Sequence, residues 1–385
     1  MEYKKNTNIQ VIFGLTLIHF IGDFYSSFIN PLLPVFVENF SLTLAQVGLL
    51  VGISRLMAFI VQPAVGYVAD HYRTRLFVLG GPILTIIFIS LLGVAPSFLV
   101  LLFFVSLGSI GSSMFHPTTA GMISEYSGRN FAFCMSIFNA GGTFAFAVGP
   151  VFITYLVGAY GLGVSPLAMI IGFIVMIYLF KTIPAPVGES LKDFGFIGSL
   201  KEALGTVWKS IVLIWIIMVL RAFVGISFRS FITVLFAQEG YTLVSIGVFV
   251  SVFTVAGSFS GLLAGHLSDR IGYKSVFYFS HGLATPCLIL LLYVQGGWIY
   301  LAAFMAGFVS MATLPLGVAM AQELAPKGKS MVSSLMMGFA FGLGGIMAPI
   351  TGEFADIFSI RPVLFSISII PLLTIALIYM LPEKQ

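Results

Sequence analysis

The sequence predicts an all-α integral membrane protein with twelve transmembrane helices in two six-helix, pseudo-symmetric halves. Three observations lead there: too little charge for a soluble surface, twelve apolar blocks long enough to cross a bilayer, and residues that recur at one spacing between the halves.

Of 385 residues, 59% are hydrophobic and 8% charged, against roughly a quarter charged in an ordinary soluble domain. A span needs about 20 apolar residues, because a helix rising about 1.5 Å per residue must cross about 30 Å of hydrocarbon. A closed barrel would show short strands alternating in and out, and runs such as Ile211 to Leu220 do not alternate.

In order along the chain, the blocks lie near 10–36, 45–69, 76–95, 98–123, 131–156, 163–181, 209–236, 243–267, 275–294, 298–322, 330–353 and 361–381. The first is too long for a cleavable signal, contains Asp23 and is followed by further spans, so it is expected to remain. Residues 182–208 carry Pro184, Pro186, Glu189, Lys192, Asp193, Lys201 and Glu202, and form a polar linker between a bundle at 1–181 and one at 209–385. Cys134 and Cys287 sit singly in apolar blocks and read as small packing residues.

A shift of 198 or 199 residues superposes Gly66 on Gly265, Asp70 on Asp269, Pro117 on Pro315, Glu125 on Glu323 and Pro150 on Pro349. Five matches at nearly one offset read as a duplication. Of the 18 cations, fourteen fall on one side of this map and only Arg361 in an opposite loop. The positive-inside rule then places both termini and the linker in the cytoplasm. The net charge of +4 follows loop position rather than one basic face, so nucleic acid is not an expected partner.

The loop Gly66-Tyr-Val-Ala-Asp70-His-Tyr-Arg73-Thr-Arg75 and its second copy Gly265-His-Leu-Ser-Asp269-Arg270-Ile-Gly272-Tyr-Lys274 resemble the inter-helix signature of the major facilitator superfamily. In the first copy His71 stands where a base is usual and Arg73 where Gly is usual. Within the superfamily the chain resembles the fosmidomycin resistance proteins, through His19-Phe-Ile-Gly-Asp23, Gly111-Ser-Ser-Met-Phe-His116-Pro117, Met320-Ala-Gln-Glu323-Leu-Ala-Pro326 and Ser334 to Gly345. The resemblance implies a major facilitator fold, a substrate site between parallel repeats, and proton-driven export of small toxic compounds from the bacterial inner membrane. Gly149-Pro150 is similar to the antiporter signature of the fifth helix, but the paired glycines expected shortly after are absent from Val151-Phe-Ile-Thr154.

Ionisable groups are costly in hydrocarbon, and those kept inside spans mark substrate or proton pathways. Asp23 is the acid found deep in a span, in a polar stripe with His19, Ser27 and Asn30. If solvation and pairing change as a cavity opens, Asp23 can bind and release a proton, with His19 beside it. The alternative is a fixed ion pair with Arg55 or Arg221. His116, before Pro117 and on a face with Ser109 and Ser113, either relays protons or hydrogen-bonds across helices at the carbonyl the proline frees.

Arg55, Arg221 and Arg229 outnumber the one acid and favour an anionic or zwitterionic ligand, since guanidinium fits carboxylate, phosphonate or phosphate. Arg229 reads equally as a snorkelling residue at the outer interface. Asn30 and Gln62 join the substrate-binding candidates. The gating candidates are Gly66, Asp70, Arg73, Asp269 and Arg270, with Glu125, Arg129, Glu323 and Lys327 as partners; solvated surface charge is the alternative for the last four.

Phe341-Gly-Leu-Gly-Gly345 lacks the strand and the Lys-Ser or Lys-Thr of a phosphate loop, and reads as close helix packing. No nucleophile, base and orienting acid form a motif, and the five His show no ligand spacing, so no enzyme activity, cofactor or metal is expected. The expected partners are a small-molecule substrate, protons and the lipid bilayer, with the chain working as a monomer. Two rival readings remain: an uptake symporter or facilitator for an organic anion, and a membrane sensor or scaffold.

Overall fold

The computed structural model describes residues 7–71, 75–185, 205–325, 332 and 335–381, and the side chains of 66–71, 124, 131, 132 and 337 lie outside that description. Among the described residues the chain is helical, with no strand. In a bilayer core each backbone N–H and C=O must bond within the protein, and a helix achieves this within one segment.

The helices are α1 (Ile9–Ser26), α2 (Ile29–Phe40), α3 (Leu44–His71), α4 (Gly81–Ser90), α5 (Phe98–Tyr126), α6 (Phe131–Tyr160), α7 (Met169–Thr182), α8 (Trp208–Gln238), α9 (Leu243–Ile271), α10 (Tyr273–Tyr293), α11 (Trp298–Met311), α12 (Leu314–Leu324), α13 (Ala340–Ile346), α14 (Ala348–Phe358), α15 (Ile360–Ser368) and α16 (Ile370–Tyr379). Eleven stretches of described residues are long and apolar enough to cross a membrane. The remaining expected span, 330–353, falls partly on residues outside the description and continues through α13 and α14.

Several spans are interrupted. The first breaks at Ser27 and Phe28, so Asn30 begins a new helix instead of continuing the helix that carries Asp23. The tenth breaks at Ala312 and Thr313, where Pro315 takes the second position of α12, a place at which a missing N–H leaves no bond unmade. Its counterpart Pro117 lies inside the continuous helix α5. The repeat is therefore kept in sequence and varied in backbone.

Backbone contacts group the chain into two compact units, Met1–Phe40 with Met57–Lys192, and Ser41–Leu56 with Asp193–Gln385. In the first, α1 packs along α4, α5, α6 and α7. Large apolar side chains such as Phe13, Leu99, Phe103, Tyr155 and Ile174 face outward, the surface expected of a bundle solvated by lipid.

In the second unit α9 packs on α11, α8 on α13, and α10 on α11 and α16. The first half of α3 joins it through a close seam with α14. A Cβ on Gly352 would stand 2.1 Å from Leu44 O, and one on Gly48 2.5 Å from Ala348 O. Asp356 seals the seam, its two carboxylate oxygens accepting from Leu44 N at 2.8 Å and Ala45 N at 2.9 Å. These amides open α3, where free N–H groups and the helix dipole both favour an anion.

Candidate functional site

Among the described residues, the first unit gathers its buried charge in one place. One turn of α1 separates His19 from Asp23, and the i,i+4 spacing sets His19 Nε2 3.1 Å from Asp23 Oδ2. From α5, His116 places its Nε2 3.3 Å from Asp23 Oδ1. Each carboxylate oxygen thus faces one imidazole nitrogen.

The far side of each ring is also fixed. His19 Nδ1 bonds Phe138 O on α6 at 2.8 Å, and His116 Nδ1 bonds Ser112 O at 2.8 Å. Phe138 stacks on the His19 ring at 4.1 Å, and Phe115 meets its edge. A carbonyl oxygen only accepts, so each Nδ1 carries a proton, and a neutral ring then has a bare Nε2. To hydrogen-bond the carboxylate, each Nε2 needs a second proton. The geometry is a receptacle for up to two protons, one on each side of Asp23.

Access differs among the three. The side chains of His19 and Asp23 are 10% and 8% exposed, whereas that of His116 is 32% exposed, so His116 is the most accessible of the three. The ligand atoms of all three lie within 4.8 Å of one another, close enough to share one cation. Sequence spacing gave no metal-ligand set because His116 is 93 residues from Asp23; helix packing makes the set.

Gly142, on α6, was not singled out from the sequence. A Cβ there would stand 2.6 Å from His19 Nε2 and 2.8 Å from Asp23 Oδ2, so only glycine leaves the cluster its space. The signal was the run Asn139-Ala-Gly-Gly142, legible as close helix approach but without its target.

The second unit contains the buried arginines. Arg221 and Arg229 on α8 are each 8% exposed, and the charges of Arg55 and Arg221 both act on Arg229. Arg55 is half-buried, its stem against Gly345, where a Cβ would stand 2.2 Å from Arg55 Cγ. Arg221 Nη1 donates to Ser310 O at 3.1 Å, and its Cζ lies 5.3 Å from the Phe341 ring centroid, a cation–π contact. His281, which carries no local mark in the sequence, also lies near Arg221, with Nδ1 2.6 Å from Thr374 Oγ1.

Asn30 and Gln62 are half-buried in the first unit. Of the gating candidates, Asp269, Arg270 and Arg129 are exposed, and Glu125 is half-buried. Glu323 accepts the Tyr273 hydroxyl at 2.6 Å, a bond across the base of the second bundle that the sequence did not suggest. Gly66 and Asp70 lie in α3 with undescribed side chains, and Arg73 and Lys327 lie outside the described residues.

Many lipid-length helices among the described residues, with buried, paired ionisable groups, define a multi-pass membrane protein of the kind that carries solutes. The family model described as Major Facilitator Superfamily matches residues 15–349, and the chain belongs to that family. It is similar to the fosmidomycin resistance protein of Escherichia coli (strain K12), 29% identical over 388 residues, covering 99% of this chain and 95% of the relative. It is also similar to an uncharacterized MFS-type transporter of Bacillus subtilis (strain 168), 28% identical with 98% and 93% covered. Among solved structures it matches a bacterial homologue of the human lysosomal transporter Spinster, with TM-score 0.80, 16% identity and 98% of each chain covered. It is a transporter by family and not an enzyme.

Proposed function

We propose that the protein is a proton-coupled antiporter that exports a small anionic or zwitterionic drug or toxic metabolite by alternating access. It would act in a bacterial inner membrane with both termini cytoplasmic. The observation that carries this reading is the cluster of His19, Asp23 and His116, in which both Nδ1 atoms are committed to carbonyls and both Nε2 atoms face one carboxylate.

The cluster supplies the coupling. Protons enter and leave through His116, the most accessible of the three, while His19 and Asp23 hold the charge inside. One proton moving down about 100 mV and one pH unit releases about 3.7 kcal/mol, enough for a concentration ratio of a few hundred for a neutral cargo. The candidates for substrate contact are Arg55, Arg221 and Arg229 in the second unit, whose positive charge selects an acidic group, and Asn30 and Gln62 in the first. Gating falls to Gly66, Asp70, Arg73, Asp269 and Arg270, with Glu125, Arg129, Glu323 and Lys327 as partners. The name of the Escherichia coli relative supports export and resistance over uptake, and makes fosmidomycin a first compound to test.

Inside-out vesicles that pump protons inward decide the matter. An exporter driven by antiport accumulates substrate in them, and Asp23→Asn abolishes that accumulation. A chain that accumulates substrate only in right-side-out vesicles, or an Asp23→Asn chain that still exchanges protons for substrate, would overturn the reading.

A further inference from the structure

We propose that the second unit holds a resident halide-sized anion at Arg221, in a site separate from the proton cluster. Arg221 lines a small cavity bounded by α8, α10, α11 and α16. One side of its guanidinium is occupied, Nη1 on Ser310 O and the planar face on Phe341. The other edge, Nε and Nη2, is buried without a hydrogen-bond partner, and so is the hydroxyl of Ser310. Three orphaned polar atoms therefore belong to two residues lining one cavity.

Their chemistry is that of an anion receptor. Nε–H and Nη2–H point in parallel from one edge of the guanidinium, a fork that closes on a single negative centre. The neighbouring polar groups are already engaged. The Thr374 hydroxyl donates to Pro371 O at 2.6 Å, so it accepts the Nδ1–H of His281, whose Nε2 faces the Thr313 hydroxyl at 3.4 Å. Ser280 donates to Val309 O at 2.5 Å. No acid lines the cavity among the described residues. A buried cation without a counter-charge is strongly disfavoured, and a bound anion supplies one.

Size selects the anion. The space is small, so a compact monatomic anion such as chloride or bromide is the occupant proposed, resident until an acidic substrate engages Arg221.

The test uses the full chain purified in detergent and melted in sodium gluconate, with chloride or bromide replacing gluconate at constant ionic strength. A ligand that binds only the folded state raises the melting temperature with its concentration. Chloride and bromide should give a saturable rise of several degrees, Arg221→Gln should abolish it, and Ser310→Ala should raise the half-saturating concentration severalfold. Identical melting in chloride and gluconate means that water fills the cavity and overturns the proposal. So does a halide response that survives Arg221→Gln. Should Arg221→Gln not fold, an unchanged half-saturating concentration in Ser310→Ala overturns it alone.

Discussion

Asp23 and Arg221 stand 198 residues apart, one an acid enclosed by imidazoles and the other a cation with an unbonded guanidinium edge. Each unit thus buries a charged position, of opposite sign. On the proposed reading, one half handles protons and the other handles negative charge.

Replacing His116 by Gln removes the most exposed of the three groups and leaves His19 and Asp23 paired. Proton exchange should slow by at least tenfold, while His19→Gln, deeper in the cluster, should also lower the protons exchanged per substrate. Proton flux read with a pH dye in reconstituted vesicles checks both. Equal flux in His116→Gln and the parent would remove His116 from the pathway.

Gly142→Ala forces a methyl group into the space of His19 Nε2 and Asp23 Oδ2. Overpacking of this kind costs about 1–3 kcal/mol, and the nearest groups that must yield carry the proton contacts. Transport should fall at least tenfold with the protein still folded. Gly225→Ala, where a Cβ meets nothing within 4 Å, should transport like the parent.

Arg229 lies in the field of Arg55 and Arg221, so neutralising it reduces mutual repulsion and the pull on anions together. Arg229→Gln should melt no lower than the parent yet lose tenfold or more in affinity for an acidic substrate, about 1.4 kcal/mol. Calorimetric binding alongside a melting curve separates the two effects.

Asp356→Ala removes the carboxylate that accepts both opening amides of α3. The loss should be about 0.5–2 kcal/mol, as for other helix N-terminal acceptors, with Asp356→Asn milder. Chemical denaturation in detergent measures it. An undiminished midpoint in the Ala variant would show that the glycine seam of Gly48 and Gly352 suffices.

Much of the site was legible because charge in an apolar span is conspicuous. Asp23 and His19 lie four apart on one helix, and His116 precedes a proline, so each announced itself. What stayed hidden was partnership. The sequence offers Arg55 or Arg221 as the counter-charge of Asp23, and two histidines surround it instead. Gly142 and Asp356 carried no local mark, because a missing Cβ or a helix-end acid acquires meaning only from what lies opposite.

The sequence by itself determined the class and most of the spans, because the bilayer imposes length, apolarity and closed backbone bonding on each segment, whatever its neighbours. Only the tertiary structure decided which groups meet. Contacts between helices depend on rotation and close approach across dozens of residues, and no local pattern along the chain encodes them.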